Sequence, residues 1–309
     1  MKPKLFLLLA FSAALALTSC KKESDKNPPA VTEAEELTAT SDDQQKFSTD
    51  MDEIDNDINN AVDDYAIIVG KTAQPAAALC NATVTIDTMG TTRKVTITYN
   101  GNNCQNSRSR TGVVTISIPA TQRWKNAGAK LTVSFQNLKI TRLADNKAIT
   151  INGVKQITNV SGGRVIHAVN STVIHDVDSD SMTLTFDNNT QRYWKIAKRR
   201  TFTYNNGLVI EVTGKHTIGN TSGVAEWGTN RFGNPFHTAI VAPMTVRQSC
   251  AFRLTSGQVK HTHGPKVVTT TFGLNAQGLP TACQQGTPFY MKIEWTGPNG
   301  NVISHLKPY

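Results

Sequence analysis

The sequence has little of what an enzyme or a helical membrane protein needs. Beyond residue 65 only nine Asp and Glu are spread over 244 residues, so the paired carboxylates of acid–base chemistry are scarce. No nucleophile elbow, phosphate-binding loop or His-Glu-x-x-His pair occurs, and neither a catalytic residue nor a cofactor is expected. Cys-x-x-Cys spacing is absent, which argues against a four-cysteine metal site. After residue 17 no apolar run approaches the ~20 residues that span a bilayer as a helix, so the body is expected to be soluble. Crossover helices between strands are missing too, which excludes a parallel α/β architecture.

What is present begins with an address. Lys2 and Lys4 precede an apolar run of 13 residues, Leu5 to Leu17, the length of a secretion-signal core. The run ends in Leu17-Thr18-Ser19-Cys20, which resembles the lipobox of bacterial lipoproteins. That resemblance implies removal of residues 1–19, a diacylglycerol on the Cys20 sulfur and an acylated amine. Several acyl chains such as palmitate anchor stably where one holds marginally. Lys21, where an aspartate would signal retention, implies by the same resemblance an outer-membrane location, with the membrane face left open. The mature chain would keep 290 of the 309 residues.

Residues 20–41 read as a flexible tether. Lys21, Lys22, Glu23, Asp25 and Lys26 lead into Asn27-Pro28-Pro29 without apolar periodicity. The charged cluster also resembles the export tags of surface-displayed lipoproteins of the Bacteroidetes. Residues 42–65 read as one amphipathic helix. Phe47, Met51, Ile54, Ile58, Val62 and Tyr65 form a single apolar stripe, with Ser41, Asp42 and Asp43 as cap and first-turn acids. Asp55-Asn56-Asp57 opens like a calcium loop, but Asn60 and Ala66 replace the glycine and glutamate that such a loop needs. The stripe is expected to lie on the β body.

From residue 78 to 309 the period changes to two. Val84 and Ile86; Val95, Ile97 and Tyr99; Val114, Ile116 and Ile118; Leu131, Val133 and Phe135; Met182, Leu184 and Phe186; Phe202 and Tyr204; and Ile210 and Val212 alternate with polar residues. Turn signals punctuate them at Met89-Gly90, Asn100-Gly101, Asn152-Gly153, Ser161-Gly162-Gly163, Asn205-Asn206-Gly207, Gly264-Pro265 and Pro298-Asn299-Gly300. One wet and one dry face is the mark of antiparallel sheets. The fold class is therefore all-β. It is a large antiparallel meander, closed as a curved sheet, a sandwich or an open barrel, with one N-terminal helix.

Cys20 apart, four cysteines remain, an even number that reads as two disulfides in an exported chain. Three pairings are possible. Cys80–Cys104 with Cys250–Cys283 is favoured because each pair encloses one strand-turn-strand pattern. The two segments also resemble one another, either as a degenerate repeat or as two parts of the sheet stapled in the same way.

Charge is divided. Residues 31–65 carry twelve acids against Lys46, a net of −11, and residues 66–309 carry 26 Lys and Arg against nine acids, a net of +17. The acidic helix should therefore be attracted to the basic sheet and cover part of it, while basic β surface suits anionic partners. The densest cationic stretch is Arg192, Tyr193, Trp194, Lys195, Lys198, Arg199 and Arg200, a candidate anion site in which aromatics sit beside cations. Asp176, Asp178 and Asp180 form a candidate metal triplet, although a polar hairpin turn accounts for them as well. His261 and His263 would share a face of a strand.

The chain further resembles a group of uncharacterised Bacteroidetes lipoproteins. The residues that carry the likeness are Cys20, Cys80-x-x-Thr83-Val84, Tyr99-Asn100-Gly101-x-x-Cys104, Arg110-Thr111-Gly112, Gly228-Thr229-Asn230-Arg231 and Phe272-Gly273 ahead of Cys283. The likeness covers roughly residues 78–290 and implies no activity. Asp87-Thr88-Met89 and Asp180-Ser181-Met182 match the short O-glycosylation pattern of that phylum. Together these readings predict a lipid-anchored, non-enzymatic envelope module that binds or scaffolds. Its expected partners are the membrane, through the lipid, and anionic polysaccharide or lipopolysaccharide rather than nucleic acid. A curved-sheet carrier of acyl chains is the alternative, followed by a hydrolase whose site is not legible.

Overall fold

The computed structural model describes residues 33–64, 79–283, 287–296 and 300–309. Cys20, Tyr65, the signal segment and the tether up to residue 32 lie outside the described residues. Among the described residues one α-helix, α1 (Glu33–Asp64), precedes the sheet. It starts nine residues before the expected Asp42, because Glu33, Ala34, Glu35, Glu36 and Leu37 favour helix and place acids in the first turn. Ser41, Asp42 and Asp43 are consequently interior helical residues rather than a cap, and Ser41 and Asp43 are buried.

The sheet opens with β1 (Ala82–Asp87), β2 (Thr92–Asn102), β3 (Arg108–Pro119), β4 (Ala129–Arg142) and β5 (Ala148–Asn159). It continues with β6 (Val173–Phe186), β7 (Gln191–Tyr204), β8 (Leu208–Gly214), β9 (His216–Ile218) and β10 (Thr221–Thr229). It ends with β11 (Pro235–Arg247), β12 (Arg253–His263), β13 (Lys266–Leu274), β14 (Tyr290–Thr296) and β15 (Val302–Pro308). Among the described residues all 15 strands belong to one antiparallel sheet. From β1 to β7 each strand pairs with the next. Beyond β7 the neighbouring position is shared. β8 pairs with residues 198–204 of β7 and β10 with residues 194–196, and both then pair with β11. Gly214 and Gly223 meet where these two half-strands cross. A Cβ on Gly214 would lie 1.9 Å from the Gly223 carbonyl oxygen, so only glycine permits the crossing.

Bulges bend the strands in a line across the sheet, with register shifts at Thr111/Val113, Phe135/Leu138, Val154/Gln156 and Ser179/Met182. Asn152-Gly153, expected as a turn, sits on this line inside β5, where Asn152 accepts a hydrogen bond from the Asn137 amide at 2.7 Å. Asn100-Gly101 likewise remains paired in β2. The bends curl the sheet around α1. Asp42 is reached by Arg142 and Lys147 from the β4–β5 hairpin and by Lys307 from β15. No ladder joins β1 to β15 among the described residues.

The principal core lies between helix and sheet. Phe47, Met51, Ile54, Ile58 and Val62 pack with Val95, Ile97, Ile116, Leu131, Val133, Leu184 and Trp194. Each fully buried aliphatic contributes about 1.5–3 kcal/mol. The expected alternation is observed, with Val95, Ile97 and Tyr99 facing in and the threonines between them facing away. A smaller cluster of Phe202, Ile210, Val212 and Val246 supports the β8 side. The favoured cysteine pairs stand at disulfide distance, with Cα separations of 5.2 Å for Cys80–Cys104 and 5.7 Å for Cys250–Cys283. They tie together the β1–β2 and β12–β13 hairpins.

Candidate functional site

Strand periodicity divides the cationic stretch on β7 between two faces. Arg192, Trp194, Lys198 and Arg200 point inward and are buried, whereas Tyr193 and Lys195 are exposed and Arg199 is half-buried on the other side. The seven residues therefore do not form one anion site. A β-strand turns successive side chains to opposite faces, whatever their shared chemistry.

The inward residues hold the helix. Lys198 pairs with Glu226 of β10 and donates to Ser48 at 3.0 Å. Trp194 Nε1 donates to Glu226 Oε2 at 3.0 Å, and Gln44 donates to the same oxygen. Lys155 of β5 pairs with Asp55, and Arg200 approaches Asp55 at 3.8 Å while donating to Asn56 at 2.9 Å. Further along α1, Arg108 meets Asp50 at 2.8 Å and Arg110 meets Asp57 at 2.8 Å. Arg231 grips both oxygens of Asp43 at 2.6 Å. Asp55-Asn56-Asp57, which opens like a calcium loop, is thus helical and turned toward sheet cations.

Burial and pairing compete along this interface. Burial pushes the Asp43, Asp50 and Asp57 carboxyls above their ordinary values despite their arginine partners. Asp42 is pushed up by burial, but Lys46, Lys307 and Arg142 together hold it below its ordinary value. Burial lowers the Lys155 ammonium against the pull of Asp55. Lys198 resists burial and is raised, chiefly by Glu226 and Asp52. His175 lies between Trp124 and Phe202 and is pushed down to about 3 by burial and then by Arg200.

The remaining candidates are placed as follows. Asp176, Asp178 and Asp180 lie within strand β6, neither in a loop nor in a hairpin turn. Asp176 accepts from Arg199 at 2.8 Å and pairs with Lys215 at 3.1 Å, and Asp178 pairs with Lys215 at 2.9 Å. Among the described residues no group of three His, Cys, Asp or Glu side chains is arranged to hold a metal ion. His261 and His263 do share a face of β12. His261 is buried, hydrogen-bonded to Thr238 at 2.9 Å and pushed down to about 4 by burial. His263 meets Glu36 at 3.3 Å. Met89 of Asp87-Thr88-Met89 is exposed at the β1–β2 turn, and Asp180 and Met182 flank the β6 bulge.

Sequence reasoning anticipated the attraction between helix and sheet but missed Glu226, Lys155 and Arg110 as its buried partners. The inward face of β2 to β7 is covered by α1. Among the described residues no helix is long and apolar enough to cross a membrane. No family model, curated protein or solved structure matches this chain.

Proposed function

We propose that the protein is a lipid-anchored, non-enzymatic envelope module whose sheet binds anionic glycan on its outer face. The observation that carries this reading is the division of charge between the faces. Most inward cations pair with α1 or with Glu226, yet the −11 of residues 31–65 offsets only part of the +17 of residues 66–309, leaving +6 over residues 31–309. Lys94, Lys130, Lys139, Lys195 and Lys260 are exposed on strands β2, β4, β7 and β12, where wet positions alternate with buried ones. A surface of this sign attracts polyanions and does so less at high salt. Anchoring rests on the Leu17-Thr18-Ser19-Cys20 resemblance.

Two measurements test the reading. The mature chain should be retained on heparin and on lipopolysaccharide resin at low salt and be released as salt rises. Passage straight through both at low salt contradicts it. Detergent phase separation should carry the chain into the detergent phase, and Cys20→Ser should move it to the aqueous phase.

A further inference from the structure

The outward half of the β7 stretch is joined by residues that are distant in sequence. Cross-strand pairing places Trp227 of β10 between Lys195 of β7 and His237 of β11. Thr229 stands opposite Pro235 in the next outward row. Tyr193 lies two residues from Lys195 and so belongs to this face, 67% exposed. Its ring is a diagonal neighbour of Trp227, about 7–8 Å away between backbone positions. His216 of β9 stacks on Trp227 with ring centroids 4.3 Å apart and planes 13° from parallel, which fixes the indole. Gly228 permits the approach of the strands, since a Cβ there would lie 2.1 Å from the Tyr193 carbonyl oxygen.

We infer that Tyr193, Lys195 and Trp227 form a platform for one segment of an acidic polysaccharide, with sugar rings stacked on the aromatics and a uronate carboxylate beside Lys195. This deepens the function proposed above and rests on it. Aromatic rings held rigidly on strands lose little entropy when a flat ligand settles on them. A lysine among them supplies a charge that a neutral sugar cannot use. Single-stranded nucleic acid also stacks on aromatics, but it needs a groove of cations that tracks successive phosphates. Here one exposed lysine accompanies the two rings, and the neighbouring outward positions on β10 and β11 are Thr229, Pro235 and His237. Burial holds the His237 imidazole below its ordinary pKa, so it adds no charge at neutral pH.

The test is titration of the full chain, in mild detergent, with tetragalacturonate, maltotetraose and a single-stranded dT oligonucleotide. Calorimetry and tryptophan fluorescence are the readouts. Tetragalacturonate should bind and change the fluorescence, and Trp227→Phe should abolish most of that change because Trp124 and Trp194 are buried and Trp295 lies on β14, three strands beyond β11. Tyr193→Ala, at an exposed position, should weaken binding about ten-fold, the scale of an aromatic anchor. Lys195→Ala should weaken it about five-fold and flatten its salt dependence. Lys125→Ala, exposed between β3 and β4, should change it less than two-fold. If the chain binds heparin and tetragalacturonate but Tyr193→Ala and Lys195→Ala bind as tightly as the parent, the platform is wrong and the module reading survives. No retention on heparin or tetragalacturonate overturns both. Equal affinity for maltotetraose, or tighter binding of dT, also overturns the platform.

Discussion

Lys198 and Arg199 are neighbours on β7, and each pairs with a carboxylate, yet they serve different physics. The Lys198 and Glu226 side chains are 6% and 2% exposed, and they pair inside the core beneath α1. Arg199 is 43% exposed and meets Asp176 on the outer face. A buried pair exists in a setting where an uncompensated charge is costly, so each partner needs the other. An exposed pair competes with water and salt and contributes little. The sheet thus spends its inner charge on architecture and keeps its outer charge available.

Breaking the inner face should have the largest effect. Glu226→Ala strands Lys198 and removes the acceptor for Trp194 and Gln44, so urea unfolding should show a loss of about 3–5 kcal/mol. Opening the Cys80–Cys104 staple by Cys80→Ser with Cys104→Ser should cost about 3 kcal/mol, given its separation of 24 residues. That loss should appear as a lower urea midpoint with outer-face binding retained in the folded protein.

Acid should weaken the inner face next. His175 and His261 have pKa values depressed to about 3 and about 4, so below their ordinary 6.5 the unfolded chain takes up protons that the folded chain refuses. Stability is fully present above pH 6.5 and falls as pH drops toward those values. At pH 5.5 each histidine should account for about 1.4 kcal/mol of loss. His175→Phe, which keeps a ring between Trp124 and Phe202, should remove its share of the slope in urea titrations across pH 5.5–7.5. The smallest effect belongs to the outer face, where Arg199→Ala should cost less than about 1 kcal/mol. A loss there as large as that of Glu226→Ala would erase the contrast between the faces.

The parts legible in the sequence were those set by period and parity. Alternation at Val95, Ile97 and Tyr99 identified strands, the Phe47–Val62 stripe identified the buried helix face, and enclosure of one hairpin by each cysteine pair identified the staples. The first turns of α1 were missed because Glu33–Ser41 carries no apolar stripe. Contacts from elsewhere hold that part of the helix, with Glu36 accepting from Asn230 and Asn234. Asn152-Gly153 has turn chemistry but lies on a bulge, where the same backbone freedom bends a strand instead of ending it. The cationic stretch on β7 was read as a patch because its composition is conspicuous. Period two divides it, and the partners of its outward half, Trp227 and His216, come from strands that local sequence does not bring together.

The most direct test of the account is a double-mutant cycle between Asp55 on α1 and Lys155 on β5, read by urea unfolding. With the acidic helix seated in the basic concave face, Asp55→Ala and Lys155→Met should each be strongly destabilising. The double variant should be less destabilised than their sum by about 2 kcal/mol or more. Losses that add to within about 0.5 kcal/mol would show that helix and sheet do not meet there, and would contradict it.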